Sequence, residues 1–145
     1  MLTQKKADEL LKLEKNCVSA SPIDFPMPGN MIELDVRSAD NRESFKIDVN
    51  RKGRIRLTKC TYQERYASVE VLLRLDIDGP PHENPNGDVV LCPHLHIYKE
   101  GFGDRWAFPI PNEFTNTSDL VRTLREFLVY CKVRNIPDIQ RTINS

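Results

Sequence analysis

With 145 residues, 39% of them hydrophobic and 29% charged, the chain has the length and apolar content of a single domain that buries a core without covalent staples. Its 21 basic and 21 acidic side chains cancel, which excludes the overall positive field that draws proteins onto nucleic acid or anionic membrane; any such contact must come from a local patch. Residues 1–15 mix charges into every apolar stretch, so neither a signal peptide nor a membrane span is expected, and the protein is expected in the cytoplasm.

Four dispersed cysteines, Cys17, Cys60, Cys92 and Cys131, form no C-x-x-C pair. They are expected as reduced thiols rather than as a zinc ribbon or a disulfide framework.

In chain order, Ala7, Leu10, Leu11, Leu13, Cys17 and Val18 recur at helical spacing behind Thr3, a residue that accepts a bond from first-turn amides. The spacing predicts a surface helix over 3–17. Prolines at 22, 26 and 28 then mark a linker, because each removes an amide donor and restricts the residue before it. From Met31 the apolar period becomes two. Ile32, Leu34 and Val36 predict a strand, Phe45, Ile47 and Val49 a second, and Ile55 with Leu57 a third, each pair joined by polar turn residues. Val69, Val71, Leu73, Leu75 and Ile77 make a fourth, the most apolar and so the central one.

The polar loop 82–88 leads to a fifth strand with Val89, Leu91, Leu95 and Ile97 on its core face, and residues 105–110 form a sixth, with Trp106 and Phe108 as core. Leu120, Val121, Leu124, Phe127, Leu128 and Cys131 predict a C-terminal helix across the sheet, with Asn116 and Thr117 as cap candidates. A helix, about six strands in an antiparallel meander and a closing helix describe one α+β domain over 1–145, and they exclude Rossmann and barrel folds.

Chemistry concentrates on the fifth strand. If Leu95 and Ile97 face the core, the pleat sends Cys92, His94, His96 and Tyr98 to the other face; a hairpin with the fourth strand brings Glu70, Arg74 and Asp76 alongside, and the next hairpin brings Arg105 near Tyr98. Three readings apply. In the catalytic one, His94 and His96 act as general base and acid, Arg74 or Arg105 neutralises a phosphate and Tyr98 orients the substrate; this is metal-free ribonuclease chemistry that needs no cofactor. In the second, Cys92, His94 and His96, with His82 folding in from the loop, ligate a metal. In the third, both imidazoles cap carbonyls or carboxylates and carry no function.

A basic concentration at Arg54, Arg56, Lys59 and Arg65, interleaved with Tyr62 and Tyr66, has the residue types of a nucleic-acid-binding face, or of a strand edge guarded by charge.

The segments KCTYQERY at 59–66, LRLDIDGPPHENPNG at 73–87 and CPHLHIYKEGFGDRWAFPIP at 92–111 resemble a family of small uncharacterised bacterial proteins. That resemblance runs from LTQKKADELL to NIPDIQ and implies a prophage or mobile-element setting, without an assigned activity. PPH and PHLHIY are also similar to short histidine-bearing strands of small toxin-like bacterial proteins. Two functions are therefore expected to compete. One is a toxin-type endoribonuclease acting on RNA. The other is a non-enzymatic inhibitor or adaptor that binds an antitoxin, host or phage protein through a sheet face or edge.

Overall fold

A computed structural model describes residues 1–53 and 58–141. The first helix, α1 (Gln4–Lys12), starts where Thr3 Oγ1 accepts the Lys6 amide at 3.1 Å, and it buries Ala7 and Leu10. It stops earlier than its apolar spacing suggests. Leu13 turns extended, and Lys15–Cys17 become β1, because the end of the neighbouring strand needs a partner for its backbone groups. The linker holds a short strand, β2 (Ile23–Asp24).

β3 (Met31–Ser38) and β4 (Ser44–Asn50) form the first hairpin, with Leu34 opposite Ile47 and Val36 opposite Phe45. The third strand expected at Ile55 and Leu57 falls outside the described residues. Next to β4 lies β5 (Thr61–Tyr66), which pairs in turn with β6 (Glu70–Asp76).

The fifth strand of the sequence reading is two strands. Val89–Val90 form β8, which pairs with β7 (His82–Glu83) as a flap, and His94–Ile97 form β9. Pro93 has no amide to give to a ladder, so the run divides there, and Val89 and Leu91 are exposed rather than core. β10 (Ala107–Pro109) buries Ala107, while Phe108 is exposed and Trp106 only half-buried. α2 (Leu120–Tyr130) is capped by Asp119, which accepts the Arg122 amide, rather than by Asn116 or Thr117. β11 (Ile139–Gln140) pairs parallel with β2.

Among the described residues the main sheet has seven strands in the order β1-β3-β4-β5-β6-β9-β10, every neighbouring pair antiparallel, so the α+β antiparallel meander of the sequence reading stands, with β1 and β5 as strands it did not foresee. Both helices pack on the face that carries Phe45, Ile47, Val49, Tyr62, Leu73, Leu75 and Leu95. Each such fully buried side chain contributes about 1.5–3 kcal/mol. Tyr62 ties the layers together: its hydroxyl donates to the Leu120 carbonyl at 2.6 Å, and its ring lies 5.9 Å from that of Phe127. The opposite face is polar. It is this second face that carries the site.

Candidate functional site

Antiparallel register assembles the site. Asp76 pairs with His94 and Arg74 with His96 across β6 and β9, and alternation puts all four side chains on the face away from the helices. His94 and His96 are 2% and 1% exposed. Their Nε2 atoms each lie 3.2 Å from one oxygen, Asp76 Oδ2. His96 Nδ1 is 2.8 Å from the Asp104 carbonyl, an acceptor only, so Nδ1 carries a proton and donates it. Arg74 Nη2 sits 3.0 Å from His96 Nε2, while its Nη1 donates to Asp104 Oδ2 at 2.5 Å and its Nε lies 3.3 Å from Asp76 Oδ1.

Burial pushes the Asp76 carboxyl up. The His96 hydrogen bond and the charges of Arg74 and the two imidazoles outweigh it and hold the group below the usual carboxylate range. Asp76 is therefore ionised at neutral pH. Cys92 stands behind His94, its Sγ 3.6 Å from Nδ1. Burial, then the carboxylates of Asp76 and Asp78, raise its thiol, so it is no ready thiolate.

The flap completes the cluster. The His82 ring packs edge-on against His96 with centroids 4.6 Å apart, and stands 5.9 Å from His94. His82 Nε2 donates to the Arg105 carbonyl at 2.7 Å. Asn84, buried one turn on, pairs with β10 as a strand residue would. Its Nδ2 donates to the Ala107 carbonyl at 2.9 Å, and its Oδ1 accepts the Ala107 amide at 2.8 Å. The flap turn is closed by the Gly87 amide on the Asn84 carbonyl and the Asn84 amide on the Asp88 carbonyl, both 2.8 Å, with 85–87 exposed at the tip.

The structure thus brings His94, His96 and Arg74 together with Asp76, draws in His82 from the segment between the strands, and adds Asp104. Tyr98 and Arg105 are placed otherwise. Tyr98 is buried among core residues, its hydroxyl donating to the Leu2 carbonyl at 2.6 Å. Arg105 lends the cluster its carbonyl, while its side chain is exposed. Asp104 reaches the site from a turn and His82 from the two-residue strand β7, where no apolar periodicity signals a position.

The residues of the basic concentration do not share one surface. Tyr62 and Tyr66 lie on the helix side of β5, Tyr62 fully buried and Tyr66 with its ring 5.7 Å from Phe45. Arg65 lies on the opposite face, held by both Asp48 oxygens at 2.6 and 2.9 Å and by Glu33 at 3.0 Å. Lys59 is exposed, and Arg54 and Arg56 lie outside the described residues. The strip running from Glu33 through Lys46, Asp48 and Arg65 to Arg74 is accordingly a face of charges already paired with one another.

Among the described residues no helix is long and apolar enough to cross a membrane. Residues 2–133 match the family of unknown function DUF6978, and the chain belongs to that family. No curated protein and no solved structure matches it.

Proposed function

Membership of that family leaves the activity open, and from the site itself we propose that the protein is an RNA-acting enzyme that cleaves a phosphodiester at the His82–His94–His96–Asp76 cluster. The observation that carries this reading is the meeting of three imidazoles and an ionised carboxylate beside a guanidinium, on the face of the sheet that no core packing claims. Imidazoles change charge near neutral pH and so exchange protons with a reacting hydroxyl and a leaving oxygen. Arg74, 29% exposed, is the group that reaches a phosphate, since its planar fork matches the oxygens of that anion.

His82 is the only one of the three imidazoles that is not buried, and it is the residue assigned to meet the substrate. His94 and His96 stand behind it and set its surroundings. With the paired charges of the sheet offering no broad basic surface, RNA is held locally, at Arg74 and the flap. A toxin setting would follow from such an activity.

The test is cleavage of mixed RNA by the wild type, His82→Ala and Asp76→Asn, with circular dichroism on each. Cleavage by the wild type that falls at least about 100-fold in both folded variants supports the reading. No cleavage, or equal cleavage by Asp76→Asn, refutes it.

A second reading, a binding module for a protein partner, is favoured by one feature. A groove of about 800 Å³ between α1 and α2 exposes Leu11, Ile97, Val129 and Tyr130 beside Lys12, Arg125 and Glu126. Groove substitutions such as Val129→Glu would then abolish partner capture while leaving the histidine cluster untouched.

A further inference from the structure

Asp76, His94 and His96 each present one ligand atom, and these three atoms all lie within 4.8 Å of one another. We propose that they hold a single divalent transition-metal ion of the zinc class. This inference shares residues with the RNA-acting site but stands whether or not RNA is the substrate.

Three features support it. The first is spacing. With metal–ligand distances of about 2.0–2.1 Å, two ligands on a tetrahedron stand about 3.3 Å apart. Each imidazole Nε2 stands 3.2 Å from Asp76 Oδ2, so two edges of that tetrahedron are in place, and the third, within 4.8 Å, closes as the imidazoles draw in on the ion.

The second is the proton inventory. His96 donates Nδ1–H to the Asp104 carbonyl, which fixes the ring so that Nε2 is the atom it presents to Asp76 Oδ2, 3.2 Å away. A backbone carbonyl that fixes Nδ1–H and leaves Nε2 bare is also the outer-shell arrangement of metal-bound histidines.

The third is that a cation already leans into this position. Arg74 Nη2 lies 3.0 Å from the same Nε2. The metal takes the place of that N–H, while Nη1 keeps the guanidinium on Asp104. Two nitrogens and one carboxylate oxygen suit zinc, cobalt or iron rather than magnesium or calcium. A water or a ligand oxygen takes the fourth position.

The experiment is a titration of chelator-stripped protein with Co²⁺, read by its visible absorption bands, followed by displacement with Zn²⁺. His94 and His96 are buried, so their removal risks the fold; Asp76→Asn keeps the shape and removes the anion. The expected result is one equivalent of metal, bound at least tenfold more weakly by Asp76→Asn and several-fold more tightly by Arg74→Met, which frees the lone pair. Absence of stoichiometric binding, or equal affinity in Asp76→Asn, overturns the site. Weaker binding in Arg74→Met would overturn the position assigned to the ion. Because the readout is metal binding, it is separate from whether RNA is cut. The reading of Arg74 as phosphate ligand predicts the opposite for that variant: less cleavage.

Discussion

Two charged clusters lie within two strands of each other on opposite faces of the same sheet, and they illustrate what solvent access does to similar chemistry. On the helix side, Lys15 and Glu64 are both 0% exposed. The ammonium lies 3.3 Å from Glu64 Oε2, 4.8 Å over the Phe45 ring, and donates to the Cys131 carbonyl at 2.9 Å. Besides that ion pair, the Cys131 thiol lies against the Glu64 carboxyl. Burial drives the Glu64 carboxyl up to about 7 against the pull of Lys15. On the other face, Asp76 is 22% exposed, keeps several partners, and is shifted down. The sealed pair is a cost the fold carries, since two desolvated charges rarely recover their hydration. The half-open cluster keeps an ionised carboxylate within reach of a ligand.

Removing one member of each cluster tests that contrast. Lys15→Met strands Glu64 without its countercharge and is expected to cost about 3–5 kcal/mol in urea unfolding, whereas Lys15→Met with Glu64→Leu recovers most of that loss. A double variant no better than the single one would show that the pair is not the source.

The pH dependence gives the next largest effect. The folded state keeps the Glu64 proton up to about pH 7, while the unfolded chain releases it near the ordinary carboxyl value of 4.5. In that window the native state binds more protons, so stability falls as pH rises, by up to about 1.4 kcal/mol per pH unit. Glu64→Gln removes this slope. Asp76, shifted down, acts in the opposite sense and in a lower window: its contribution is present above its unfolded value of 3.8 and is lost as pH falls through the folded one. Melts from pH 4 to 8 on the wild type and Glu64→Gln check the sign.

Smaller effects come from the two residues that the structure sets apart from the cluster. Tyr98→Phe removes a hydroxyl bonded to Leu2, so it is expected to lose about 1 kcal/mol of stability with RNA cleavage and metal affinity unchanged. Arg105→Ala keeps the carbonyl that His82 uses, and stability should move by no more than about 0.5 kcal/mol. A large fall in cleavage with Arg105→Ala would bring that side chain back into the site.

Much of the fold was legible because its strands obey a period of two. Ile32, Leu34 and Val36, then Phe45, Ile47 and Val49, then Leu73 and Leu75 announce β3, β4 and β6, and the Leu95 alternation located the histidines on the polar face. β5 stayed hidden because its inward residues are Tyr62, Glu64 and Tyr66; a buried carboxylate in the middle reads as a surface residue, and the tyrosines then look like stacking rings beside Arg65. α1 was drawn too long because Leu13 and Cys17 satisfy the helical spacing, while the contact that makes 15–17 a strand comes from β3, about twenty residues away. The site was legible where it lies on paired strands, at Arg74, Asp76, His94 and His96. It was less so at His82 and Asp104, because His82 stands on a two-residue strand held by the Arg105 carbonyl and Asp104 on a turn whose carbonyl receives His96.

The way the flap is fastened also has a practical side. Asn84 and the two amide bonds across the turn, from Asn84 to Asp88 and from Gly87 to Asn84, pin the flap at its base, while Pro85 and Asn86 are exposed at its tip. Side-chain identity at that tip is decoupled from geometry at the cluster. A dye-bearing cysteine in place of the exposed Pro85 should be tolerated without moving the imidazole, which makes the tip a reporter position from which ligand arrival at the site can be followed.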